Sequence, residues 1–290
     1  WAETPTGVQN ASGTWVKPIW LRPSGRIREL GKDETGRNRI HLGGTARSPA
    51  DVSALNRMGL QFAEISIPDP EQFPRHIGEY QVIMDKLGIY YLCHGPREGD
   101  PNNVDTLETV YLPKLLKILS IMPQLNMRLL TIHLWVDPRF VSPDVIAYKV
   151  GFLKRLLNRA EASDITVCIE NLSENATHLS GIFEALPSLN LTLDLGHAQL
   201  LTAQNTSFGF MERFPERIQH IHLHDNLGGT SVKDDLHLPV GKGIIDVEGI
   251  FKNLSRIAYN RTITLELRPD EIRENLKAVT QRLRDSGFSV

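Results

Sequence analysis

IQHIHLHDN, residues 218–226, places His220, His222 and His224 at alternate positions of a largely apolar run. Successive side chains of a β-strand face opposite sides, so as a strand this run turns all three imidazoles one way and ends on a polar stretch. Working outward, short β-like runs recur along the chain. Candidates are RIHLGG near 39–44, FAEISI 62–67, IYYLCH 89–94, LLTIHL 129–134, ITVCIE 165–170, LNLTLD 189–194, RIQHIHL 217–223 and TITLEL 262–267. Between them lie segments with apolar residues at helical spacing, such as DTLETVYLPKLLKILSIM and SPDVIAYKVGFLKRLLNRAEAS. Strands alternating with helices over about 250 residues predict an α/β fold of the (β/α)8 TIM-barrel type. A doubly wound open sheet is the competing architecture. It normally carries a G-x-G-x-x-G turn after an early strand, and IHLGGTARS lacks that spacing.

The chain has 290 residues, of which 41% are hydrophobic, enough for one large core. Its formal charge of −2 provides no broad basic field for non-specific nucleic-acid binding. No apolar run approaches the roughly 20 residues of a membrane span, and no signal-peptide pattern opens the sequence. Cys93 and Cys168 end or interrupt β-like runs and read as reduced core residues, which suits a cytoplasmic protein. Residues 1–38, starting at Trp1, are rich in Gly, Pro, Ser, Thr and charge without a sustained period. They read as an N-terminal extension of unassigned role, with the barrel over 39–290.

His94, His133, Glu170, Asp194, His222 and Glu266 close six consecutive strand candidates. In a barrel the C-terminal strand ends converge on one mouth, so these side chains are expected to meet. Buried carboxylates are costly unless paired or bound to a cation, and neutral imidazole is the commonest nitrogen ligand. A divalent-metal centre therefore accounts for the set. LTLDLGHAQL adds His197 three residues after Asp194, and DDLHLPVGKG adds the D-x-H pair Asp235 and His237 ahead of a Gly-rich turn. His222 is the metal-binding member of the opening stretch. His220 is expected to hydrogen-bond inside the barrel, and His224 to touch substrate or a supporting partner. His76 and His178 read as solvated, while His41 is a candidate for lining the pocket. Arg97, Lys242 and Arg268 fall in predicted βα loops, where a phosphate or carboxylate would be met.

The order CHGP, TIHL, IEN, DLGHA, HLHDN, DLHLPVGKG and LEL resembles the xylose isomerase-like TIM barrels, also called apurinic/apyrimidinic endonuclease family 2, over about residues 39–288. Its sugar and sugar-phosphate isomerase and epimerase branch implies a single Mn, Mg or Co ion held by Glu170, Asp194, His222 and Glu266. In that branch the two glutamates are also catalytic and His197 touches substrate; by their positions at strand ends and in a βα loop, His94, His224 and Arg268 are further candidate substrate contacts. The endonuclease IV branch implies up to three Zn ions. His94, His133 and Glu170 serve the first; Glu170, Asp194, His222 and Glu266 the second; and His197, Asp235 and His237 the third. That branch would act on abasic DNA, but GPREGDPNN, after the first histidine, carries no apolar wedge of the kind that enters a duplex. The favoured expectation is an enzyme that moves a proton between adjacent carbons of a small sugar or sugar phosphate. Zinc phosphodiesterase action, or metal-dependent dehydratase or lyase chemistry on a polyol, are the alternatives.

Overall fold

All eight β-like runs form strands of one closed parallel barrel: β1 (His41–Ala46), β2 (Phe62–Ser66), β3 (Tyr90–His94), β4 (Leu129–His133), β5 (Thr166–Glu170), β6 (Asn190–Asp194), β7 (Ile218–Leu223) and β8 (Thr262–Leu265). Neighbours in sequence are neighbours in space, and β8 closes onto β1. The computed structural model describes residues 29–290 and, before them, only the short antiparallel pair of Val8–Gln9 with Trp15–Val16. Most of the expected N-terminal extension thus lies outside the described residues. From residue 29 the chain is already tied to the barrel, with Leu30 N–H donating to the Asn260 carbonyl. Asn38–Arg39 pairs with Phe288–Ser289, so β1 starts two residues later than its pattern suggested.

Helices follow the strands: α1 (Pro49–Arg57), α2 (Ile77–Leu87), α3 (Leu112–Ile121), α4 (Pro143–Glu161), α5 (Ala176–Ala185), α6 (Ser207–Arg213), α7 (Val247–Arg256) and α8 (Pro269–Asp285). Local chemistry sets their starts. Ser48 accepts the Asp51 N–H ahead of Pro49, and Asp246 accepts the Gly249 N–H ahead of α7. Each turns an apolar stripe onto the barrel; α4 buries Phe152, Leu153, Leu156, Leu157 and Ala160. No helix among the described residues is long and apolar enough to cross a membrane.

Barrel interiors are usually filled by branched apolar side chains. Here Phe62, Leu92, Leu129 and Cys168 pack together inside, but Glu64, Thr131, Thr192, His220, Thr262 and Thr264 are buried as well. The two cysteines are buried and unpaired, as expected. His41 does not line the mouth: it begins β1, at the opposite end of the barrel, where Nδ1 lies 3.0 Å from the Tyr90 hydroxyl.

Two packing devices fix the loops above the strands. The first is the buried Lys149 of α4. Its ammonium donates to Glu98 Oε1 at 3.0 Å and to the Trp135 carbonyl at 2.6 Å, while Glu98 Oε2 accepts the Trp135 N–H. Glu174 accepts the N–H groups of Val136, Leu172 and Ser173, so the loops after β3, β4 and β5 are clamped together. Burial pushes the Glu98 carboxyl up to about 7, although Lys149 opposes the shift. The second is a close approach. A Cβ on Gly196 would lie 1.9 Å from the His224 ring, so the loop after β6 and the end of β7 interlock only with glycine at this position.

Removing one partner of a buried ion pair typically costs about 3–5 kcal/mol. Lys149→Met is expected to lose that much in denaturant unfolding, and adding Glu98→Gln to recover most of it; equal stability of Lys149→Met and wild type would refute the clamp. Gly196→Ala should cost about 1–3 kcal/mol by overpacking. Gly151→Ala, in α4 with open space around it, should instead gain up to about 1 kcal/mol in the same unfolding series.

Candidate metal centre at the barrel mouth

The strand register assembles the centre. Glu170, the last residue of β5, lies beside His133 of β4, and His222 of β7 lies beside Asp194 of β6. His94 closes β3, and Glu266 directly follows β8. Asn171 stitches β5 to β6 above the ladder: its amide accepts the Asp194 N–H at 2.8 Å and donates to the Asp194 carbonyl at 2.9 Å. The IEN and LTLD motifs therefore act as one unit.

The carboxylate of Glu170 spans the middle. Its Oε2 lies 3.2 Å from His94 Nε2 and 3.0 Å from His133 Nε2, while Oε1 lies 3.1 Å from His197 Nδ1 and 3.4 Å from His222 Nδ1. His222 Nδ1 also faces Asp194 Oδ2 at 3.6 Å and Glu266 Oε2 at 3.8 Å. A short 3-10 turn at His197–Gln199 returns His197 to the strand end, as the D-x-x-H spacing suggested; its N–H donates to Asp194 Oδ1 at 2.6 Å. His197 Nε2 then meets Asp235 Oδ2 at 3.2 Å, and the same oxygen lies 3.0 Å from His237 Nε2.

Asp235 and His237 come from the loop after β7, which Asp225 organises. The Asp225 carboxylate accepts the N–H groups of Asn226, Gly241 and Ile245, and its backbone pairs with Leu238 in both directions. HDN and HLPVGKG are thus two halves of one fold-back.

Five groups of candidate ligands occur among the described residues; besides Glu64, His220 and His222, and His94, His222 and Glu266, there are three. Glu170, Asp194, His222 and Glu266 each offer an atom within 4.8 Å of the others, and so do His94, His133 and Glu170; His197, His224, Asp235 and His237 form the third. Glu170 Oε1, His222 Nδ1, Asp235 Oδ1 and Glu266 Oε2 are all buried without a hydrogen-bond partner. Buried polar atoms are rarely left so, and three of them, on Glu170, His222 and Glu266, belong to one candidate ligand group, which fits a cation that the group would hold.

The charges are strongly coupled. Burial alone would raise Glu170 and Asp194, but His133 and His222 hold the first, and His197 and His224 the second, well below the ordinary carboxylate range. Burial would lower the imidazoles. Glu170 nevertheless pushes His94 up to about 9, and Asp235 with Glu266 does the same for His237. Side-chain exposure is nil at Glu170, Asp194 and His222, but 16% at Glu266, 20% at Asp235 and 33% at His237. The centre therefore opens on the D-x-H side.

Other expected residues fall elsewhere. His224, within the third group, has no exposed surface; its Nε2 lies 3.1 Å from Asp194 Oδ1 and its ring stacks on His237 at 4.0 Å, the supporting contact of the two expected for it. Arg268 does not join the centre: its side chain is 70% exposed and engages Glu271 at the start of α8. Arg97 and Lys242 are exposed in their loops. His76 is exposed as expected, but His178 is not solvated; it completes the capping box of α5 with Asn175.

Two features escaped the reading of the sequence. Glu64, mid-strand in β2, reaches both His220 and His222 inside the barrel. Burial would raise its carboxyl, yet these two imidazoles hold it well below its ordinary range. Alternation along FAEIS was the one available signal, since it turns Glu64 to the same side as Phe62. In the loop after β4, Trp135 and Phe140 stack at 4.8 Å. A groove of about 710 Å3 lies beside the mouth, lined among others by Asn175, Gln199, Thr206 and Asp246; none of the converging ligands lines it.

Comparison with known proteins agrees with the barrel fold. Residues 52–285 match the family described as xylose isomerase-like TIM barrel. Among curated proteins, the chain is 29% identical over 158 residues to uncharacterized protein MJ1188 of Methanocaldococcus jannaschii, covering 51% of this chain and 55% of that one. It is 32% identical over 119 residues to uncharacterized protein MJ1614 of the same organism, covering 39% and 44%. The chain spans about half the length of the curated relatives it matches. Among solved structures, a D-tagatose 3-epimerase-like protein superposes with a TM-score of 0.74 at 18% identity, covering 85% of this chain and 98% of that one. D-allulose 3-epimerase from Methylomonas sp., in complex with D-allulose, gives 0.69 at 15% identity over 88% and 100%. The IOLI protein with a bound zinc atom gives 0.67 at 14% identity over 85% and 96%. The closed eight-stranded barrel and the family match over most of its length lead to one conclusion: this chain belongs to the xylose isomerase-like TIM barrel family.

Proposed function

We propose that the protein is a divalent-metal-dependent isomerase or epimerase that moves a proton between adjacent carbons of a small sugar or sugar phosphate. The observation that carries this reading is the convergence of Glu170, Asp194, His222 and Glu266, three of them with a buried atom that lacks a hydrogen-bond partner. A bound divalent cation such as Mn, Mg or Co would polarise a carbonyl and hydroxyl pair of the substrate. Glu170 and Glu266 are the proton carriers. Both sit at the mouth, and a positioned carboxylate can take a proton from carbon and return it to the neighbouring carbon or the opposite face. His197 is the first substrate contact in this reading; its ring lies among Asp194, Glu170 and Asp235. His94 is the second substrate contact, and the approach is from the side of His237, where the centre is exposed. The fold likeness to sugar epimerases supports the substrate class. Buried, unpaired cysteines suit the reducing cytoplasm.

A second reading rests on one specific arrangement. Glu170 Oε2 faces His94 and His133 while Oε1 faces His197 and His222, and Asp235 joins His197 to His237. A carboxylate with its two oxygens turned to different ligand groups suits a centre of up to three Zn ions, the kind that hydrolyses a phosphodiester such as abasic DNA.

Turnover of aldoses, ketoses and their phosphates in D2O separates the two. An isomerase or epimerase should place solvent deuterium on carbon; cleavage of abasic-site DNA without such exchange would overturn the first reading. Glu170→Gln should lower turnover by about 10²–10⁴ or more with an unchanged unfolding midpoint, and near-normal activity would remove Glu170 from proton transfer. If the centre is multinuclear, His237→Ala should lower the metal content by elemental analysis. An unchanged count would confine Asp235 and His237 to substrate or structural roles.

A further inference from the structure

Glu64 stands apart from the converging ligands. It lies in β2, which two further strands separate from β7 in the barrel order, yet its side chain crosses the interior with 1% of its surface exposed. His222 Nε2 lies 2.9 Å from Oε2 and 3.1 Å from Oε1, and His220 Nε2 lies 3.3 Å from Oε2. A neutral imidazole has one N–H and one lone pair. A carboxylate at Nε2 takes the N–H there, which leaves the lone pair of His222 at Nδ1. That atom is buried, lacks a hydrogen-bond partner, and faces Glu170, Asp194 and Glu266.

His220 keeps the carboxylate in place. Its Nδ1 lies 2.7 Å from Thr262 Oγ1 and its Nε2 3.0 Å from Thr264 Oγ1. With its N–H given to Glu64 at Nε2, Nδ1 accepts the Thr262 hydroxyl. Oriented hydrogen bonds thus run from Thr262 through His220 to Glu64, and from His222 down to the same carboxylate. An ionised carboxylate buried this deeply is costly without compensation, and nothing in barrel closure requires one here.

We propose that Glu64 is a positioning residue for the metal centre: from beneath, it fixes the tautomer and ring orientation of His222 so that Nδ1 points at the cation. This rests on the metal-binding part of the proposed function. Carboxylate partners of metal-binding histidines commonly contribute 10- to 100-fold in metal affinity, because they orient the ring and make it a better donor.

The test is titration of the metal-free full chain with Co2+ against a competing chelator, following the visible absorption of bound Co2+. Glu64→Gln, which keeps the shape and removes the charge, should bind Co2+ about 10–100-fold more weakly and shift the absorption bands. The unfolding midpoint of the metal-free variant should stay close to wild type. Affinity within twofold of wild type would overturn the proposal and leave Glu64 a polar core residue. If Glu64→Gln fails to fold, Glu64→Asp decides by the same titration: its shorter carboxylate should weaken Co2+ binding, and unchanged affinity refutes the role. A wild-type chain that takes up no Co2+ refutes the metal-centre reading itself, whereas equal uptake by wild type and variants refutes only Glu64.

Discussion

Everything at the mouth depends on the cost of holding negative charge out of water. Glu170 and Asp194 have no exposed side-chain surface, and an unpaired carboxylate in such a place would cost several kcal/mol. The barrel meets that cost with imidazoles above, beside and beneath: His94, His133, His197, His222 and His224 each approach one of the two carboxylates. The neutralisation is incomplete, because individual oxygens and one ring nitrogen keep no hydrogen-bond partner. A cation is the group whose charge and valence complete such a set. The fold supplies the precision, since parallel register alone sets Glu170 beside His133 and Asp194 beside His222.

Rigidity around the centre is arranged at two levels. The strands fix the inner ligands through the ladder and through Asn171. The candidate ligands Asp235 and His237 ride on a loop whose geometry Asp225 holds by accepting several backbone N–H groups at once. His237 itself has φ of +46°, a conformation in which a side chain is uncommon and which the surrounding contacts must sustain. Strain of this kind tends to persist where function requires it.

The barrel was legible in the sequence because short β-like runs alternate with helical patterns, and six of the runs, ending at or next to His94, His133, Glu170, Asp194, His222 and Glu266, finish on one chemical theme. The ligand-type residues were legible for the same reason. Glu64 was not, because it lies mid-strand in FAEIS and its partners come from β7, more than 150 residues away. Lys149 reads as one more charge on an amphipathic helix; only the loops packed over α4 make it a buried ammonium. Arg268 illustrates the converse error. Its place in a predicted βα loop suggested a phosphate or carboxylate contact, but α8 begins there and Glu271 takes the guanidinium.

The contact between Gly196 and His224 reaches beyond packing. The ring of one motif occupies the space that a side chain of the other would need, so DLGHA and HLHDN form a lock and its key cut from distant parts of the chain. Neither motif can be transplanted alone into another barrel of this kind. A bulkier residue at 196 would need a smaller one at 224, and that exchange would remove one of the imidazoles that face Asp194. In this chain the histidine and the glycine form a matched pair, and a change at either position is felt at the other.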